Sequence, residues 1–85
     1  MNTNFALLAR FESPFVALKD ISKEFLGITP NTAEQKAKAC DLPFPTVKLR
    51  DSERSPTMVK IEDLAEYLDK RYEAAAKEWQ SVQAH

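Results

Sequence analysis

Two prolines two residues apart, Pro43 and Pro45, forbid a helix through the middle of this 85-residue chain. Each lacks a backbone donor and pushes its predecessor toward extended geometry. The chain must leave Leu42-Pro43-Phe44-Pro45 extended, and the residues that follow fit that requirement: Val47 and Leu49 alternate with Lys48 and Arg50. Beyond a tip at residues 51–56, Val59 and Ile61 alternate with Lys60. Period-two alternation on both sides of a polar tip predicts a β-hairpin, residues 46–50 paired with residues 57–61, with one apolar and one cationic face.

Helical patterns surround this hairpin. Phe5, Ala6, Leu7, Leu8 and Phe11 form an apolar cluster that reads as a helix over residues 3–12 capped by Thr3, with an edge strand as the alternative. Ser13-Pro14 ends it, and Phe15-Val16-Ala17 reads as a brief extended entry to the next helix. From Leu18 the apolar residues Leu18, Ile21, Phe25 and Leu26 fall on one helical face, and Gly27 supplies the stop. Thr29-Pro30 then offers a cap and a first helical residue. A second helix should run to about Cys40, with Ala33, Ala37 and Cys40 as its narrow inward stripe. Two helices joined by so short a turn form a helix-turn-helix.

The last helix starts at Ile61-Glu62-Asp63-Leu64, with acids where the helix dipole favours them, and no Gly or Pro follows. Ile61, Ala65, Leu68, Tyr72, Ala75, Trp79 and Val82 are spaced alternately four and three, a heptad seam. Its first half, widened by Leu64 and Tyr67, can cover a small core. Residues 72–82 exceed what that core needs, which makes Tyr72, Ala75, Trp79 and Val82 candidates for self-association. The expected fold is mainly α with a small β-hairpin: a winged helix-turn-helix domain over residues 1–71 and a C-terminal helix extension over 72–85.

A second domain does not fit in this length. One cysteine allows no disulfide within the chain, and no run approaches the roughly 20 apolar residues of a membrane span. Residues 1–12 lack a basic start followed by a long apolar stretch, so no secretory signal is expected and the expected location is the cytoplasm. His85 and Cys40 have no evident partners for catalysis or metal binding, and the glycines of a phosphate loop are missing. No enzyme activity, cofactor or metal is expected.

The net charge of -1 conceals a polarity. Residues 30–60 carry six cations against four acids, whereas residues 61–85 carry three against six. Opposite the small-residue stripe of the second helix lie Asn31, Gln35 and Lys38, flanked by Thr32 and Lys36. These types bond base edges and phosphates.

With the helix pair, the Leu-Pro-Phe-Pro entry and the hairpin in view, the chain resembles the small phage-type winged-helix regulators. The nearer likeness is to the pyocin activator family; a looser one is to the AlpA and excisionase proteins of mobile elements. It is carried by residues 5–11 (Phe-Ala-Leu-Leu-Ala-Arg-Phe), by Leu42-Pro43-Phe44-Pro45 with Lys48-Leu49, by Ser55-Pro56, and by residues 61–69 (Ile-Glu-Asp-Leu-Ala-Glu-Tyr-Leu-Asp). The resemblance implies a reading helix in the major groove and a wing against the backbone or in the minor groove. On that carry-over Asn31, Thr32, Gln35 and Lys38 approach bases, while Lys36, Lys48, Arg50 and Arg54 hold phosphate. It also implies double-stranded DNA with repeated sites bound cooperatively, and either an integrase or RNA polymerase as protein partner. Pyocin-activator relatives turn on bacteriocin or prophage genes; excisionase relatives bend attachment-site DNA. The competing class is a protein-binding adaptor, such as a phage antirepressor that uses the winged fold and the acidic C-terminal helix.

Overall fold

A computed structural model describes residues 2–51 and 54–83; Ser52 and Glu53 of the expected hairpin tip, and His85, lie outside the described residues. The chain folds as α1 (Thr3–Phe11), β1 (Phe15–Ala17), α2 (Leu18–Ile21) passing into a π-helical turn (Ser22–Leu26), α3 (Pro30–Lys38), β2 (Val47–Lys48), β3 (Thr57–Lys60) and α4 (Ile61–Gln83). It is mainly helical, with one antiparallel three-stranded sheet in the order β1-β3-β2.

The helix expected over residues 3–12 is present, but Asn2 caps it rather than Thr3. The Asn2 side chain accepts from the backbone N–H groups of Asn4 at 2.8 Å and Phe5 at 3.3 Å. The Thr3 hydroxyl instead donates to Asp69 Oδ1 at 2.6 Å and ties α1 to α4. The extended segment at Phe15 is a third strand: Val16 faces Val59 in register, and the Ile61 N–H donates to the Pro14 carbonyl at 2.8 Å. β1 thereby pairs the inner edge of β3, whose backbone groups would otherwise be buried without partners.

The first hairpin strand departs from its alternation. β2 is only two residues long, and Val47 and Leu49 are 42% and 61% exposed. The core closes beneath β1 and β3 with Val16, Leu18, Ile21, Val59, Ile61 and Leu64. β2 hangs from the outer edge of β3, and neither of its two residues joins the buried core. β3 follows its pattern, with Val59 buried and Lys60 exposed.

Leu18 and Ile21 are fully buried, as is Ser22, whose hydroxyl donates to the Lys19 carbonyl at 3.3 Å. Gly27 ends this helix in the left-handed region, at φ 68°. Ala33 of α3 is buried and Ala37 half-buried, but Cys40 is exposed. α3 closes two residues earlier than expected, in a left-handed reversal: Cys40 has φ 54°, its N–H donates to the Ala37 carbonyl, and the Asp41 N–H donates to the Lys36 carbonyl. The reversal swings Cys40 off the inward stripe. The chain then returns through Phe44, which is buried and meets the Tyr67 ring edge-on at 5.6 Å between centroids.

Ile61, Leu64 and Ala65 seal the core, and α4 then leaves it. Tyr72, Trp79 and Val82 are 74%, 64% and 66% exposed. At about 1.5 Å per residue α4 runs some 34 Å. The molecule measures 54 × 27 × 17 Å with a radius of gyration of 14.8 Å, against about 12 Å for a compact chain of this length. Among the described residues no helix is long and apolar enough to cross a membrane.

Arg10 and Glu24 form a bidentate pair between α1 and the π turn, with the guanidinium 4.8 Å from the Phe11 ring centroid and 5.6 Å from that of Phe25. The hydrogen bonds from Arg10 hold the Glu24 carboxyl below its ordinary value of 4.5 and raise the guanidinium in turn. Because the folded value is the lower one, the stabilisation is complete above the ordinary carboxylate value and is lost as pH falls through the depressed one. In an NMR titration Glu24 should protonate at lower pH than its value in Arg10→Ala. Equal values in the two proteins would refute the coupling.

Candidate nucleic-acid interface

α3 is tied down near both of its ends. The Thr29 hydroxyl accepts from the Thr32 N–H at 3.2 Å and donates to the Thr32 hydroxyl at 2.9 Å, so the half-buried Thr32 side chain belongs to the cap. Asn31, Gln35 and Lys38 are exposed on the outer face, opposite buried Ala33. Lys36 Nζ lies 3.5 Å from Asp41 Oδ2 and is drawn toward the reversal after α3.

The loop through Phe44 brings β2 back to the end of α3. Lys38 and Lys48 consequently line one shallow groove of about 140 Å³ with Ala37, Thr46, Val47 and Thr57. Neither lysine makes an ion pair among the described residues. Arg50 and Arg54 line a separate, mainly apolar hollow of about 420 Å³ with Leu49, Ser55, Pro56 and Met58. The eight expected contact residues fall into several groups. Asn31 and Gln35 stand on the helix, Lys38 and Lys48 flank its junction with the sheet, Arg50 and Arg54 share the hairpin hollow, and Thr32 and Lys36 are engaged in structure.

One contact at this junction is absent from the sequence reading. The Thr57 hydroxyl, on a residue 5% exposed, donates to Glu34 Oε2 at 2.8 Å and joins β3 to α3 across 23 positions. Thr57 is also the register partner of Lys48. The available signal is Glu34's place beside Ala33, on the flank of α3 that turns toward the sheet.

Three acids are occupied by other cations: Asp41 by Lys36, Glu62 by Lys60 at 3.4 Å, and Glu66 by Lys70 at 3.0 Å. Among the described residues no group of three or more His, Cys, Asp and Glu side chains stands together as a metal site would require. The arrangement offers hydrogen-bonding amides on a helix and, beside it, Lys38 and Lys48 without an ion-pair partner among the described residues, which is chemistry for holding an anionic polymer.

Comparison with known proteins gives a family match. The family described as pyocin activator protein PrtN matches residues 3–75, from the first residue of α1 well into α4. No curated protein and no solved structure gave a match. The matched span takes in all three strands, the α2–α3 turn and both halves of the lysine groove, and the chain belongs to the pyocin activator family.

Proposed function

We propose that this protein binds double-stranded DNA in a sequence-specific manner and activates prophage or bacteriocin genes. α2 and α3 serve as the helix-turn-helix, and β2 with β3 serves as the wing of a domain over residues 1–71. The observation that carries this reading is the convergence of Lys38 from α3 and Lys48 from β2 on one groove, beside the exposed Asn31 and Gln35. Asn31 and Gln35 read base edges; Lys38, Lys48, Arg50 and Arg54 hold phosphates, and Thr32 and Lys36 support the helix from its two ends. Family membership supports activation over the other outputs of such a domain. The experiment is a mobility-shift assay on duplex fragments flanking the gene, with a salt series. A specific complex that weakens as salt rises is expected; no specific complex on any fragment would overturn the proposal.

The exposed half of α4 supports a second element of this reading. The face that seals the core at Ile61, Leu64 and Ala65 continues, at heptad spacing, as exposed Tyr72, Ala75, Trp79 and Val82. Residues 72–85 join two copies of the chain through this seam. Each domain lies on the seam face of its own helix, so a parallel pair would place two domains in the same space. The helices therefore run antiparallel, with Tyr72 against Val82 of the other copy and Ala75 against Trp79. The contact is about 16 Å long, which makes a weak dimer, populated on the order of tens of micromolar and above. Ending the chain at residue 71 should abolish the concentration-dependent rise in sedimentation coefficient and leave the circular dichroism cooperative on melting. An unchanged sedimentation profile would refute the seam.

A further inference from the structure

We propose that Thr57 is a positioning residue that holds the Glu34 carboxylate away from Lys38, so that Lys38 and Lys48 together seat one backbone phosphate. The proposal rests on the DNA-binding reading above. Glu34 and Lys38 are four residues apart on α3, with the acid nearer the N-terminus, the order in which such pairs form most readily. The same spacing does form a pair elsewhere in this molecule, between Glu66 and Lys70 at 3.0 Å. On α3 it does not: Glu34 Oε2 accepts the Thr57 hydroxyl at 2.8 Å, and Lys38 has no ion-pair partner among the described residues.

The position of Thr57 makes the latch durable. Thr57 is 5% exposed on the central strand, paired on one side with Lys48, and a buried hydroxyl requires an acceptor. Glu34 is the acceptor it has. Without this hydrogen bond the carboxylate is free to turn to Lys38, one helical turn on, at the edge of the groove that Lys38, Lys48 and Thr57 line. The pair would cancel the Lys38 charge that otherwise attracts the phosphate. A threonine whose hydroxyl is turned to Glu34 thereby sets the charge available on the surface beside it.

The test uses the full chain and a mixed-sequence duplex of about 20 base pairs, because phosphate contacts are independent of sequence. Thr57→Val should weaken binding about tenfold at low salt and lower the slope of log affinity against log salt by about one, the signature of one lost phosphate contact. Lys38→Ala should do the same, and Lys38→Ala with Thr57→Val should be no weaker than Lys38→Ala alone. Glu34→Gln with Thr57→Val should recover wild-type affinity and slope, since a neutral amide does not capture the lysine. Losses that multiply in the first double variant, or no recovery in the second, would overturn the latch. A measurement without DNA separates this failure from failure of the DNA-binding reading. In Thr57→Val the Lys38 Nζ resonance should shift as the Glu34 pair forms, and return in the double variant with Glu34→Gln. A Lys38 resonance indifferent to Thr57 would overturn the latch whether or not the protein binds DNA.

Discussion

Phe44→Ala is expected to lower folding stability by about 3–5 kcal/mol, a large fraction of what a domain of this size possesses. Phe44 is 5% exposed, although it sits in a loop between two prolines. Its ring meets Tyr67 edge-on, at 79° between planes, and fills the space where the α3–β2 connection crosses α4. Truncation removes the ring and leaves its cavity. Collapse around that cavity is hindered because Pro43 and Pro45 fix the backbone on either side, which places the cost toward the upper end of the range. The loop also delivers β2 to the end of α3, so the lysine groove should loosen with it. In thermal melts the midpoint should fall by about 15 °C or more. Phe5→Ala is the control, because Phe5 is 69% exposed and its loss should stay within about 0.5 kcal/mol. A loss below about 1 kcal/mol for Phe44→Ala would mean that the loop does not plug the core.

Local chemistry was legible in the sequence, and contacts between distant segments were not. Gly27, Thr29 and Pro30 announced the end of one helix and the start of the next, and the structure places Gly27 at φ 68° and Thr29 on the cap of α3. The alternation at Val47 and Leu49 announced a strand, but alternation states only that a strand has two faces. It does not say whether anything lies beneath one of them, and under β2 no core does. Phe15-Val16-Ala17 was visible as an extended piece; three residues carry too little pattern to name β3 as their partner. Cys40 continued the small-residue spacing of α3, yet the helix reverses there through a left-handed residue. Such a reversal is usually marked by glycine, and a cysteine gives no sign of it. The heptad spacing of α4 was plain, and so was the surplus of seam beyond the core. The site divides in the same way. The exposure of Asn31, Gln35 and Lys38 on one face of α3 followed from helical geometry alone, whereas the Thr57–Glu34 bond required knowing that β3 begins beside α3.

Replacing Lys48 and Arg50 together by Ala is expected to weaken DNA binding about a hundredfold at low salt, taking each charge-assisted phosphate contact as about 1.4 kcal/mol. Both residues are exposed, Lys48 on the lysine groove and Arg50 in the hairpin hollow, so neither substitution removes core packing. Phosphate contacts release counterions and carry no base information. The loss should therefore be equal on all duplexes, and the salt slope should fall by about two. Gln35→Ala makes the opposite prediction. Gln35 is exposed on α3 and bears no charge; a side-chain amide discriminates bases by about 1–3 kcal/mol through paired hydrogen bonds. Its removal should flatten the preference among sites while leaving binding to mixed sequence and the salt slope unchanged. Competition binding with a randomised duplex pool reads both variants at once. If Gln35→Ala and the double charge variant depress every sequence alike, α3 does not read bases, and specificity must arise from the shape and stiffness of the bound DNA.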